Sequence, residues 1–279
     1  MKGWRFVVNL RWAAYLAVTV LFAVACGLLS NWQFDRREQA LAEIRKVTEN
    51  WDREPVPLEQ VLPTVDSFDD DQKWTPVELR GSYLTDEQVL ARNRPFNGRP
   101  GFEVLTPLQL DDGSVFVVDR GWLPVGNEQD YPDDVPAPPV GEVDVVVRLK
   151  PGEPVLPGRL APDGQIATVH LPKIAETLDA PLYSEAYGLL VSEDPAPDTR
   201  PLAALRPAED EGSHLSYAFQ WIVFGILGFL GLGYAIRNEY RIRNADEPEE
   251  QERARKRERK RAARAPDDAE IEDRILADR

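Results

Sequence analysis

Two stretches of the chain run without a formal charge for membrane-crossing lengths: Trp12 to Phe34, 23 residues, and Leu215 to Ile236, 22 residues. A hydrocarbon core about 30 Å thick is crossed by about 20 helical residues. Neither stretch alternates as a barrel strand would, and a segment inside lipid must satisfy its own backbone groups. The pattern therefore predicts transmembrane helices over 12–34 and 214–236. Leu41, Ile44 and Val47 then repeat at helical spacing until Pro55 and Pro57, which predicts a helical stalk over 35–50. Beyond it lie short strand-like runs separated by turn residues: "WTPVELRGSY", "EQVLAR", "FEVLTPLQL", "VFVVDRGWLP", "EVDVVVRLK" and "PLYSEAYGLLV". "DDGS" at 111–114 joins two of them as a hairpin, because Asp-Gly readily supplies positive φ angles. "LPKIAETL" predicts a short helix, and the Pro-rich stretches 132–139 and 195–207 predict surface loops. The expected fold class is a membrane protein whose two transmembrane α-helices flank a mainly β, antiparallel α+β domain over 35–213.

Charge adds an orientation. Lys2, Arg5 and Arg11 precede the first span without an acid, and Arg237, Arg241 and Arg243 follow the second, which predicts that 1–11 and 237–279 are cytoplasmic. Arg36 and Arg37 argue the other way, but residues 31–214 form a loop of 184 residues, and long loops translocate with little regard to charge. This external domain carries 17 bases against 35 acids, a net of −18. Such a field repels anionic headgroups and attracts basic partners, although a surface charged only for solubility gives the same count. The tail holds "ERARKRERKRAARA" followed by "PDDAEIED". It reads as a solvated, partly helical tail that helps fix topology, with a contact to the inner leaflet as the alternative. Nothing else supports nucleic-acid binding. Without a long Ser- and Arg-rich leader, the expected membrane is a bacterial plasma membrane.

Candidate chemistry is sparse. Cys26 is the single cysteine, so there is neither an internal disulfide nor a cysteine pair for a soft metal. "AVAC" at 23–26 resembles a lipoprotein cleavage site but has Ala23 where Leu is usual, which favours an uncleaved anchor with an inert thiol. The chain has no glycine-rich phosphate loop, no G-x-S-x-G elbow and no H-E-x-x-H pair. A membrane-anchored hydrolase would have to use His170, whose setting, "IATVHLP", favours a surface or core histidine. "DSFDDDQ" lacks the glycine and terminal Glu of a calcium loop. No enzymatic activity is expected.

The second span says more. At 100° per residue, His214, Tyr217, Trp221, Gly225 and Gly228 fall within an arc of about 80°. An interfacial aromatic belt and glycines that allow close helix packing account for all of these except His214. A histidine at the boundary can simply face water; a neutral imidazole beside flat aromatics and small residues can also take haem iron.

"NWQFDRR" after the first span, "FNGRPGFEVLTPL", "VVDRGWLP" and "HLSYAFQW" opening the last span are, in that order, similar to the Surfeit locus protein 1 family, over about residues 12–237. The resemblance implies a non-catalytic assembly factor for haem a and copper cytochrome c oxidases. Such a protein would bind haem a and help insert it into the oxidase's main catalytic subunit, with the haem a synthesis machinery as a further partner and the lipid bilayer as its setting. His214 then takes the position of the candidate axial ligand, the only metal contact implied, with Tyr217 and Trp221 as candidate haem surroundings. Trp32, Gln33 and Arg36 match the first motif; Gly101, Thr106 and Pro107 the second; Arg120, Gly121, Trp122 and Pro124 the third. For the third, a structural role also suffices: a glycine bend with Trp122 packed over it and Arg120 pairing locally. Ser213 and Asp119 depart from the family pattern, each standing where an Asn is usual. A structural accessory subunit of the oxidase that never touches haem is the alternative.

Overall fold

The computed structural model describes residues 3–127 and 130–262. In chain order the elements are α1 (Leu10–Asn50), β1 (Val56–Pro57), α2 (Leu58–Val61), β2 (Pro76–Tyr83), β3 (Val89–Ala91), β4 (Gly101–Leu110), β5 (Val115–Pro124), β6 (Glu142–Pro151), β7 (Gln165–Ile166), α3 (Leu171–Ala175), β8 (Ala186–Asp194), α4 (His214–Arg243) and α5 (Pro248–Ala262). Both α1 and α4 are long and apolar enough to cross a membrane, and the molecule is a membrane protein with two such helices flanking a mainly β domain. Helix α1 shows no break where its charged part begins, because Arg and Glu are good helix formers; it ends ahead of the prolines at 55 and 57. Helix α4 runs past Ile236 to Arg243, and Arg241 and Arg243 in its last turn complement the negative end of the helix dipole. Lys2 and the acidic run that begins at Pro266 lie outside the described residues.

The two long helices pack along a seam of small residues. A Cβ built on Gly225 would lie 3.6 Å from the side chain of Cys26, and one on Gly228 3.3 Å from the ring of Phe22. Ser30 Oγ donates to the Ala218 carbonyl at 3.1 Å, and Ala218 is fully buried. Lipid tails are as apolar as the helices, so this close approach and its hydrogen bond stand in for a hydrophobic drive. At the other end of the pair Trp4 stacks on Tyr240 at 4.3 Å, Arg11 pairs with Glu239 at 2.9 Å, and the Gly3 N–H donates to Asn244 Oδ1.

Residues Gln39–Glu211 form the second compact unit. Its sheet runs β1-β2-β6-β8-β5-β4-β3-β7, and an added β2–β4 pairing closes five of these strands into a barrel. Closure brings β2 so near β4 that a Cβ on Gly81 would lie 2.0 Å from the Gln109 carbonyl oxygen, a distance only glycine permits. Most pairings are antiparallel, as the alternating runs predict, but β5 and β8 run parallel through Val118↔Gly188 and Asp119↔Leu189. The long connection through β6 and α3 allows that, since parallel neighbours need a crossover. Strand β8 starts at Ala186 rather than Pro181, because Leu182 makes only a single bridge to Val115.

Strand β5 explains why "VFVVDRGWLP" does not alternate: both of its faces are buried. Phe116 and Val118 face the barrel interior with Val77, Leu79, Val145 and Val147. Val115 and Val117 face a second core built from Val47 of the stalk, Trp51 just after it, Leu171 and Ile174 of α3, and Tyr187.

Candidate functional site

His214 is the first residue of α4, and its ring is held by α1: Nδ1 lies 2.9 Å from Gln33 Oε1. An amide oxygen facing Nδ1 fixes a proton there, so Nδ1–H donates, and in the neutral ring the lone pair then belongs to Nε2. Gly212 sits beside the ring with φ of +70°, and a Cβ there would come within 3.5 Å of Nε2. Glycine thus supplies the turn into α4 and keeps a side chain away from that nitrogen. Ser213 caps the helix without a side-chain hydrogen bond, and nothing in the structure explains the loss of the usual amide there. Tyr217 is 48% exposed one turn into α4, and Trp221, half-buried a turn later, meets Phe224 edge-on at 5.8 Å. Gly225 and Gly228, on the same arc, are taken up by contact with α1 and offer no open space. Trp32 is half exposed, with the Arg36 guanidinium 5.7 Å from its ring centroid. The first and fourth motifs therefore meet through the hydrogen bond that His214 donates to Gln33 and through the edge-on contact of Phe34 with Phe219, ring centroids 6.3 Å apart.

The second and third motifs meet inside the β domain. Trp122 lies over Gly101, not over the neighbouring Gly121: a Cβ on Gly101 would fall 2.3 Å from the indole and 2.2 Å from the Leu123 carbonyl oxygen. The indole Nε1–H donates to the Arg94 carbonyl at 2.8 Å, and Phe96 stacks on the ring at 5.1 Å. Gly121, with φ of +126°, lets the backbone pass under Leu202, which exchanges two hydrogen bonds with Trp122. Pro124 pairs with Gly101 in the ladder; Thr106, fully buried, donates to Gln88 Oε1 at 2.9 Å; and the Pro107 carbonyl accepts from the Leu84 N–H. Because the overlap at Gly101 involves backbone as well as ring, Gly101→Ala should destabilise the domain by about 1–3 kcal/mol, read from a urea midpoint on the full-length protein in micelles.

Arg120 does not pair locally. Its side chain is fully buried and reaches Glu193 of β8, Nη2 to Oε1 at 3.7 Å, while Nη1 donates to the Pro136 carbonyl at 2.7 Å and Nη2 to Ala137 at 3.2 Å. Tyr83 completes the group, donating to Glu193 Oε2 at 2.9 Å and lying 5.6 Å below the guanidinium. The third motif thus fastens both Pro-rich loops, one through Arg120 and the other through Gly121 and Trp122.

Asp119 is buried as well. Its Oδ1 accepts the Gly121 N–H at 3.0 Å. Burial first, and then the negative charge of Glu103, push this carboxyl up to about 8, so it holds its proton at neutral pH. A neutral carboxyl that accepts one N–H does what an amide would do, which removes the apparent departure at this position. Arg94 stands nearby, bidentate to Glu153 at 2.8 and 2.6 Å and 3.1 Å from Glu103.

Sequence reasoning singled out His214 and Gln33 but not their hydrogen bond, and it missed Arg94, Tyr83, Glu193 and Leu202. No cluster of three or more His, Cys, Asp or Glu side chains suited to a metal ion occurs among the described residues. Cys26 is buried in the helix seam, and His170 Nδ1 lies 3.1 Å from the Glu153 carbonyl at the start of α3.

Two lipid-length helices, an imidazole keyed to a glutamine across them, and a closed β-barrel on the intervening chain define a class: membrane-anchored barrel proteins with a polar site at a helix mouth. The family model of the SURF1 family matches residues 20–226, and the chain belongs to that family, which is generally linked to cytochrome oxidase assembly. An uncharacterised SURF1-like protein of Mycobacterium tuberculosis is 34% identical over 250 residues, covering 87% of this chain and 89% of that protein. A SURF1-like protein of Rickettsia bellii is 23% identical over 225 residues, 79% of this chain and 89% of its own. One of Dictyostelium discoideum is 29% identical over 107 residues, 37% and 40% of the two chains.

Proposed function

We propose that this protein is a non-catalytic assembly factor for a haem a and copper cytochrome c oxidase, and that His214 holds haem a on its way to the oxidase's main catalytic subunit. The observation that carries the reading is the Gln33–His214 hydrogen bond. Ligand imidazoles are commonly oriented through their second nitrogen, and here Nδ1 is the nitrogen held while Nε2 keeps its lone pair. Haem a, when bound, would supply an iron that an imidazole such as that of His214 can ligate. Gly212 keeps bulk away from Nε2, and Tyr217 and Trp221 are the surroundings this reading assigns to the macrocycle. The seam glycines are no part of that space.

The same reading puts the molecule in a bacterial plasma membrane with both ends cytoplasmic and the β domain outside. Arg11, Arg237, Arg241 and Arg243, gathered at one end of the helix pair, support the orientation. The haem a synthesis machinery is the expected donor.

The test is spectroscopic. Full-length protein purified with haem a should show a haem absorbance that His214→Ala abolishes, while Gln33→Ala should weaken binding by about 10-fold or more. Equal binding by the parent and His214→Ala would remove the ligand assignment. Absence of binding in both would leave an accessory subunit of the oxidase as the better reading.

A further inference from the structure

A cavity in the β domain is lined by no residue of the four motifs. It holds about 810 Å³ and opens where the β2 edge is bare. On that side β1 pairs with Val77 and Glu78, and β4 with Gly81 to Tyr83, which leaves Leu79 and Arg80 without a strand partner. Leu79, Leu110 and Tyr183 give the cavity an apolar lining.

Its rim is acidic. Glu59, Glu78 and Asp111 are exposed at its mouth, and none of them makes an ion pair among the described residues. Arg80 is the one base in the lining, and it is already engaged by Glu142 and Asp144. Glu193, 6% exposed, forms part of the wall, and its Oε1 accepts no hydrogen bond beyond the ion-pair contact with Arg120. The lining thus combines apolar depth, an unpaired strand edge and surplus negative charge.

We propose that this cavity docks an extended segment of a partner polypeptide in which an apolar side chain is flanked by lysine or arginine. The bare edge at Leu79 and Arg80 suits an extended backbone, the apolar lining receives the central side chain, and the free carboxylates receive the cations. The surplus charge of residues 31–214, 17 bases against 35 acids, steers such a segment inward and repels anionic lipid and nucleic acid. The site does not depend on the haem reading, so either can fail without the other.

Full-length protein in neutral-lipid nanodiscs, titrated with a fluorescent peptide of alternating Val and Lys, tests it against the same peptide with Glu for Lys. The Lys peptide should bind, lose about tenfold in affinity between low and physiological salt, and lose about tenfold more with Glu78→Lys plus Asp111→Lys. The Glu peptide should not bind. Asp163→Lys plus Glu176→Lys makes the same change in net charge at exposed positions outside the cavity and should leave affinity within about twofold. An equal loss from both pairs of substitutions would reduce the effect to the overall field and overturn the site. So would equal binding of the two peptides, no binding at all, or self-association of the protein that Glu78→Lys plus Asp111→Lys abolishes, since that would assign the cavity to a second copy.

Discussion

Replacing Arg120 with methionine should cost the β domain about 3–5 kcal/mol, the penalty typical of stripping the partner from a buried charge. Arg120 and Glu193 are 1% and 6% exposed, so neither finds water when the other is removed. The carboxylate would keep only the Tyr83 hydroxyl, and the Pro136 and Ala137 carbonyls would lose their donors. Adding Glu193→Gln removes the stranded charge while leaving an oxygen for Tyr83. The double variant should therefore be more stable than the sum of the two single changes predicts, by roughly 0.5–3 kcal/mol. Urea unfolding of the three variants and the parent in micelles measures the difference. Strict additivity would mean that Arg120 acts through the two loop carbonyls alone and that Glu193 is satisfied without it.

The second large effect is on pH dependence. The Asp119 carboxyl sits well above the ordinary carboxylate range, at about 8, chiefly through burial and then through Glu103. The native state therefore holds a proton that the unfolded chain releases near pH 4. Its contribution to stability is complete below about pH 4 and is lost as the pH rises through about 8, because the unfolded chain binds fewer protons across that window. Asp119→Asn keeps a neutral acceptor for the Gly121 N–H and cannot ionise. The gap in unfolding midpoint between Asp119→Asn and the parent should widen in favour of the amide from about pH 5 to about pH 8 and then stay level. A constant gap across that range would mean that Asp119 is ionised in the native protein. The same titration gives a chemical reason why Asp and Asn can both occupy this place: buried here, they carry the same charge at neutral pH.

Long periods were legible and tertiary pairings were not. The two uncharged blocks and the 3.6-residue repeat of Leu41, Ile44 and Val47 report local geometry, so α1 and α4 could be read directly. Strand runs were legible for the same reason, since each records which faces are buried. Barrel closure was not, because it rests on Gly81 meeting Gln109, and a lone glycine in a strand is compatible with many approaches. Arg120 reads as a surface cation beside a bend; only the fold shows that 73 residues onward Glu193 points at the same interior space. The partner of His214 was within reach. Gln33 stands next to the last residue of the first uncharged block and His214 just ahead of the second, so antiparallel spans bring them to one membrane boundary. What the sequence lacks is the rotation of each helix about its axis, which the seam of Gly225, Gly228 and Ala218 sets.

That single hydrogen bond also orders events in time. Gln33 and His214 are 181 residues apart, and a ribosome adds about 5–20 residues per second, so the glutamine waits roughly 10–40 s for its histidine to be made. The barrel's last strand, β8, ends at Asp194, ahead of His214, so every strand of the β domain has been translated first. A nascent or truncated chain carries Gln33 without the imidazole it orients. The site therefore exists only on a molecule whose second long helix, α4, has been made and paired with α1.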